Sequence, residues 1–378
     1  MKIHVWVPDY ASAIGGIQTF SRFIVRGLRD VLPGAEIAVF SKNDTSYPDP
    51  ELDPADKFTP MGWWSPKLRT TEFAWKLFRS AAWEHPDFIV TTHVNFAPVA
   101  HWLQKLFCIP FLAVGHGVEV WEIGNQRVRN ALRAADRLIA VSEFTRRRMA
   151  STLNLDPNRI ALLPDTFDPE EFYPARKPHY LLKRYGLTTK QPVLLTIARL
   201  ASAERYKGYD QLLRALPLVR KHFSNVRYIL GGRGPDRPRV EALIRELDVS
   251  ASVTLAGYVA DYELRGHYNL CDVFAMPSKG EGFGIVFLEA LGCGKPVLAG
   301  NKDGSADAVL NGALGVLIDP DDVAAIADAL IKIVSQKPLN GEASRANQLR
   351  SGVINAYGYD RFRETLAELV GTIAKGKK

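Results

Sequence analysis

The sequence predicts an α/β protein made of two doubly wound domains, each a parallel sheet with helices on both faces. Three observations carry this. The 378 residues exceed what one hydrophobic core usually serves. Short apolar or β-branched runs alternate with longer helical-looking stretches, which implies strands buried on both faces. The alternation stops once, across residues 164–178, where prolines fall at 164, 169, 174 and 178, and then begins again.

In chain order, the first domain takes its strands from residues 3–7, 37–40, 88–92, 111–114 and 138–141. Each is too short for a helix and rich in Val, Ile, Leu or Phe. The proline segment keeps neither helical nor strand periodicity and reads as the interdomain linker. Strands then recur at residues 193–198, 226–231, 253–256, 273–276 and 297–299. The expected domains are 1–170 and 171–355, with 356–378 a C-terminal helix that crosses back toward the first domain. Two such domains are expected to hold a ligand in a central cleft, at the carboxyl ends of their strands.

Composition narrows the function. A hydrophobic fraction of 47% with 24% charged residues is ordinary for a soluble globular chain. No run is long enough to span a bilayer, and Met1 to Val5 leads straight into a strand, so a cytoplasmic protein is expected. Cys108, Cys271 and Cys293 are too few and scattered for a disulfide framework or a zinc site, and their apolar surroundings predict buried thiols. The net charge is +7, distributed unevenly. Residues 1–175 hold 19 Lys and Arg against 20 Asp and Glu, which leaves 29 against 21, net +8, for residues 176–378. That excess suits a half that binds a nucleoside diphosphate, and it suits a solvated basic surface equally well.

The most informative stretch is Glu281-Gly282-Phe283-Gly284-Ile285-Val286-Phe287-Leu288-Glu289. Two carboxylates stand eight residues apart across a glycine turn that opens an apolar helix. The glycines allow close backbone approach, and a helix starting near Gly284 directs unpaired amides at an anion. Glu281 and Glu289 can each accept hydrogen bonds from hydroxyls; a plain strand-to-helix turn with surface glutamates is the other reading. Arg199 and Lys207 follow the strand 193–198, where fixed cations can neutralise a departing diphosphate. Solvated loop charges are the alternative. Gly15 and Gly16 precede a helix with Phe20, Phe23, Ile24 and Leu28 on its apolar side, as a phosphate- or sugar-admitting loop or a ligand-free turn. His116 stands between Gly115 and Gly117 at a strand end, either catalytic or structural.

Together these residues resemble the retaining family-4 glycosyltransferases of GT-B fold. The resemblance rests on the ordered series Arg199-Leu200, Lys207-Gly208, Gly231-Gly232-x-Gly234, Gly257-Tyr258, Pro277-Ser278, Glu281 to Glu289, Gly294-Lys295-Pro296-Val297 and Gly315, and it runs from Gly15-Gly16 to Tyr357-Gly358-Tyr359. It implies two Rossmann-like domains and a nucleotide-sugar donor held by Glu281 and the amides of Phe283, Gly284 and Ile285. Glu289 would hold the ribose, and Arg199 and Lys207 the pyrophosphate. His116 would sit beside the transferred sugar, Gly15 and Gly16 on the phosphate and acceptor side, and Gly232, Arg233 and Tyr258 beside the base. Where many members read Pro-Asn-Gly-Val-Asp, this chain reads Pro164-Asp165-Thr166-Phe167-Asp168, so the permissive glycine is absent.

No cofactor or metal is expected: Asp49-Pro50-Glu51 lies in a proline-rich acidic loop rather than after a strand. Residues 61–83 mix four tryptophans with Lys67, Arg69, Lys76 and Arg79, and seven arginines fall between Arg127 and Arg148. These aromatics are expected in the domain core; the alternative is a surface for anionic membrane or a lipid-linked acceptor. The resulting expectation is a retaining hexosyltransferase using GDP-mannose or a UDP-hexose. Its acceptor would be a saccharide or lipid-linked hydroxyl in polysaccharide, lipopolysaccharide or glycolipid assembly, and it would work in the cytoplasm, peripheral to the inner membrane face, with no nucleic-acid partner. A nucleotide-sugar epimerase and a non-catalytic nucleotide-sugar binder are the alternatives. A nicotinamide oxidoreductase fits poorly, because Gly232-Arg233-Gly234-Pro235-Asp236 lacks a third glycine.

Overall fold

The computed structural model describes residues 1–11, 15–47, 57–336 and 342–375. Ile14 and the Asp49-Pro50-Glu51 loop lie outside the described residues. The chain divides into two compact units, Met1–Thr166 with Asp360–Lys378, and Phe167–Tyr359.

Strands of the first unit are β1 (Lys2–Val7), β2 (Glu36–Ser41), β3 (Lys57–Pro60), β4 (Phe88–Thr91), β5 (Phe111–Gly115), β6 (Arg137–Ala140) and β7 (Ile160–Leu162). They pair in the order β3-β2-β1-β4-β5-β6-β7, all parallel. The register sets Ile3 beside Ile37 and Val5 between Val39 and Val90, so the central strands present apolar side chains to helices on both faces. On one face Trp6, Phe40, Phe73, Leu77 and Phe111 share a core. On another side, the C-terminal helix Tyr359–Lys375 packs against the helix Gly16–Val31: Phe362 meets Phe20 edge-on at 5.9 Å, and Leu366 is buried. The approach is close enough that a Cβ at Gly27 would stand 2.7 Å from Leu366 Cδ2.

Strands of the second unit are β8 (Val193–Ile197), β9 (Arg227–Gly231), β10 (Val253–Gly257), β11 (Val273–Met276), β12 (Val297–Gly300) and β13 (Val316–Ile318), in the order β10-β9-β8-β11-β12-β13 and again parallel. Leu194, Leu213, Leu216, Tyr228, Leu298, Ile326 and Leu330 form its core beneath the helices Tyr209–His222 and Val323–Ser335. The stretch after Thr166 is tied to this unit. Phe167 bridges Gly358, and the Arg350 guanidinium donates to the carbonyls of Pro169, Phe172 and Gly292.

Two expectations change. Cys271 and Cys293 are buried, but Cys108 is exposed, at the left-handed C-cap (φ 55°) of the helix Ala97–Phe107. The helix Pro66–Glu84 buries Phe73, Leu77 and Ala81, whereas Trp75 and Trp83 stand 56% and 87% exposed on its opposite side and Trp63 and Trp64 are exposed just ahead of it. Those tryptophans are not core residues: positions 73, 77 and 81 share one face at helical spacing, and 75, 79 and 83 share the other. Among the described residues no helix is long and apolar enough to cross a membrane.

Candidate functional site

Each sheet reverses its winding once, between β1 and β4 in the first unit and between β8 and β11 in the second. Loops leaving the carboxyl ends of two such strands diverge, and the gap between them is where doubly wound folds bind ligands. In the second unit those loops are 198–208 after β8 and 277–284 after β11. They carry Arg199, Lys207 and Glu281.

The sequence builds this arrangement locally. Gly208 takes φ +81°, and a Cβ there would stand 2.1 Å from the carbonyl of Pro277, so glycine lets the Lys207 turn rest on the β11 loop. Lys207 Nζ then forms an ion pair with a Glu281 carboxylate oxygen. Burial, the largest influence, works against the Lys207 charge, but the Glu281 carboxylate with Tyr206 and Glu204 together outweigh it, and the ammonium is held above the usual lysine range. Glu204 approaches from the other side, accepting from Arg199 Nε at 2.9 Å and standing 4.0 Å from Lys207 Nζ. Arg199, Glu204, Lys207 and Glu281 thus alternate in charge. Two cations, Arg199 and Lys207, are thereby held in place by neighbouring carboxylates.

Gly284 at φ +98° caps the helix Ile285–Gly292, and the amides of Phe283, Gly284 and Ile285 precede its first i→i−4 bond. The Phe283 side chain turns inward against Tyr357, edge-on at 5.1 Å, which anchors the turn. One further turn along, the buried Glu289 accepts from Tyr268 Oη at 2.5 Å. Lost solvation raises its pKa to about 7, with the tyrosine hydroxyl pulling back toward the charged form. After β9, Gly232 lies where a Cβ would be 1.8 Å from the Ala198 carbonyl, which draws the β9 loop against the β8 loop. Exposed Arg233 stacks its guanidinium 4.9 Å from the centroid of the half-exposed Tyr258 ring, a flat platform suited to a base.

In the first unit, Gly15 and Gly16 open the helix after β1, and His116 follows β5. His116 Nε2 donates to the Thr92 carbonyl at 3.0 Å, its ring meets Phe20 edge-on at 4.8 Å, and its backbone amide donates to Glu119. Burial lowers its pKa to about 4, so the imidazole is neutral at physiological pH.

Comparison with known proteins fits this geometry. Residues 181–350 match the family described as glycosyl transferases group 1, and residues 14–171 match glycosyltransferase family 4. The structure aligns with sucrose-phosphate synthase from Thermosynechococcus elongatus at a TM-score of 0.81 and 21% identity, covering 99% of each chain. It aligns with Anabaena Alr3699/HepE, solved with UDP and glucose, at 0.78 and 20% identity over 98% of this chain and 99% of that one. Both halves are glycosyltransferase domains on a GT-B fold.

Sequence relatives of this GT-B chain include the GDP-mannose-dependent alpha-(1-6)-phosphatidylinositol monomannoside mannosyltransferase of Mycolicibacterium smegmatis, 35% identical over 58% of this chain and 59% of that one. The chain thus spans about three fifths of the length of that relative. The D-inositol 3-phosphate glycosyltransferase of Stackebrandtia nassauensis is 25% identical over 94% of this chain and 86% of that one. Within the second GT-B domain, Arg199, Lys207, Gly232, Arg233, Tyr258, Glu281, Phe283, Gly284, Ile285 and Glu289 lie on or beside the loops at the carboxyl ends of β8, β9, β10 and β11, Glu289 one turn into the helix. Gly15, Gly16 and His116 lie at the carboxyl ends of β1 and β5 in the first. Sequence reasoning did not single out Glu204, Tyr268 or Asp303. The last accepts the Glu281 amide at 2.7 Å. Glu204 sits three residues before Lys207, at helical spacing, which is a local signal that could have drawn attention to it.

Proposed function

We propose that this GT-B chain is a retaining hexosyltransferase that moves a hexose from a nucleoside diphosphate sugar to a hydroxyl acceptor. The observation that carries the reading is the Lys207–Glu281 ion pair with Arg199 beside it, set between the β8 and β11 loops ahead of a helix N-terminus. Arg199, Lys207 and the amides at 283–285 would take the charge of the diphosphate, so the reading needs no metal ion or other cofactor. Glu281 would hold sugar hydroxyls and Glu289 the ribose. In the transfer step the anomeric carbon–oxygen bond to the diphosphate breaks and a bond to the acceptor oxygen forms on the same face. The acceptor proton passes to an oxygen of the leaving diphosphate. The protein supplies position and charge rather than a nucleophile.

GDP-mannose is the first donor to test and a lipid-linked polyol the first acceptor, because the M. smegmatis relative is named for that donor and for a phosphatidylinositol acceptor. The exposed face of the helix Pro66–Glu84 supports a membrane-proximal acceptor. Leu68, Trp75, Arg79 and Trp83 share it, with the Arg79 guanidinium 5.0 Å from the Trp75 ring. Tryptophan and arginine together on a surface helix suit an anionic lipid interface. Thermal stabilisation by GDP, UDP, ADP and their sugar conjugates, repeated with Glu289→Ala, tests the donor site. A shift for one nucleotide that the variant loses supports the reading and names the base; no shift for any of them rejects it.

A further inference from the structure

Asp303, in the loop after β12, has a side chain only 1% exposed. No Lys, Arg or His pairs with it among the described residues; only neutral donors reach it. Oδ2 accepts from the Glu281 amide at 2.7 Å and Ser278 Oγ at 2.8 Å, and Oδ1 accepts from the Ser305 amide at 3.0 Å. Ser278 Oγ also lies 2.7 Å from Ser305 Oγ. Ser278 has one proton, and a carboxylate has none to give. Ser305 Oγ therefore donates to Ser278 Oγ, which donates to Asp303. Burial pushes the Asp303 carboxyl above its usual range, and these donors favour its charged form.

A buried carboxylate without a cation is an expensive element. What it does is grip one residue. Consecutive residues of the β12 loop hold both sides of the Glu281 peptide: Asp303 takes its amide, and the Gly304 amide donates to its carbonyl at 2.9 Å. The loops touch backbone to backbone, since a Cβ at Gly304 would stand 1.9 Å from the Gly282 carbonyl. Once its backbone is fixed from the β12 side, Glu281 extends to Lys207 on the β8 side.

We infer that Asp303 is a positioning residue that locks Glu281 against Lys207, so that the sugar-holding carboxylate and the diphosphate-holding cation keep one geometry. The inference rests on the donor-site reading above. It makes the β12 loop a determinant of sugar recognition separate from nucleotide recognition.

Asp303→Asn is the test. It keeps the shape but leaves one acceptor oxygen where two are used, and its amide nitrogen cannot accept from a backbone N–H. Hydrogen exchange reads the grip without any ligand: the amides of 279–284 should exchange at least about tenfold faster in the variant, with the β8 strand unchanged. With ligand, affinity for the nucleoside diphosphate alone should stay within about twofold, while the added affinity from the sugar is lost and kcat/KM falls about tenfold. Unchanged exchange at 279–284 overturns the inference, and so does an equal loss of affinity for diphosphate and sugar nucleotide. If Asp303→Asn does not fold, Ser278→Ala removes one donor from Oδ2 and should give the same pattern at about threefold; an unchanged pattern there also overturns it. Failure of the donor-site reading shows differently, as absence of nucleotide binding in the wild type while the exchange result still stands.

Discussion

Lys207 Nζ and a Glu281 carboxylate oxygen form an ion pair between residues 74 positions apart, joining the loop after β8 to the loop after β11. Both side chains are mostly shielded from solvent, at 17% and 14% exposure. Such a pair resists screening and leaves a costly charge behind if one partner is removed.

Lys207→Ala should therefore lower kcat/KM for hexosyl transfer by about 10²–10³, the range for removing one fixed stabiliser of developing charge. Glu281→Ala should do the same, with far-ultraviolet circular dichroism unchanged in both. Turnover within about threefold of wild type in either variant would remove that residue from the site.

Glu289 makes a pH prediction. The folded protein holds its proton up to about pH 7, whereas an unperturbed glutamate releases it near 4.5. The folded state binds the extra proton in that window, so the contribution to stability is full below pH 4.5, declines as pH rises to 7 and is flat above. Melting curves of wild type and Glu289→Gln should diverge across this window, by on the order of 3 kcal/mol, and run parallel above it. If ribose hydroxyls donate to the carboxylate, nucleotide affinity should also rise as pH passes 7.

His116 behaves oppositely. Its pKa is lowered from 6.5 to about 4, so its contribution to stability is present above pH 6.5 and lost as pH falls toward 4. Its imidazole proton shifts should stay flat from pH 8 to 5. A midpoint near 6.5 would contradict the buried, Thr92-bound imidazole.

The tryptophan face makes a prediction about partners. The protein should co-sediment with vesicles rich in phosphatidylglycerol and much less with phosphatidylcholine, and Trp75→Ala with Trp83→Ala should reduce binding about tenfold or more without lowering the melting temperature. Equal binding to both lipids, or no effect of the double variant, would reject this face as the lipid surface.

Much of the architecture was legible because the central strands are buried on both faces and read as unbroken apolar runs. The short edge strands were not. Lys57–Pro60, Ile160–Leu162 and Val316–Ile318 are three or four residues long, and what makes them strands is pairing with β2, β6 and β12 rather than a pattern of their own. The helix Pro66–Glu84 carries aromatics on two faces, so composition placed its tryptophans in the core; spacing separates Phe73, Leu77 and Ala81 from Trp75 and Trp83. At the site, glycines and charges with local spacing were found, and their long-range supports were not. Asp303 and Tyr268 act on Glu281 and Glu289 across 22 and 21 residues, a separation at which no local motif forms.

The most direct test of the account is the anomeric configuration of the product made from GDP-mannose or a UDP-hexose, read by proton nuclear magnetic resonance for wild type and Lys207→Ala. Retaining transfer gives an α-linked product from the α-linked donor, lost in the variant. A β-linked product, or the same turnover without Lys207, would contradict it.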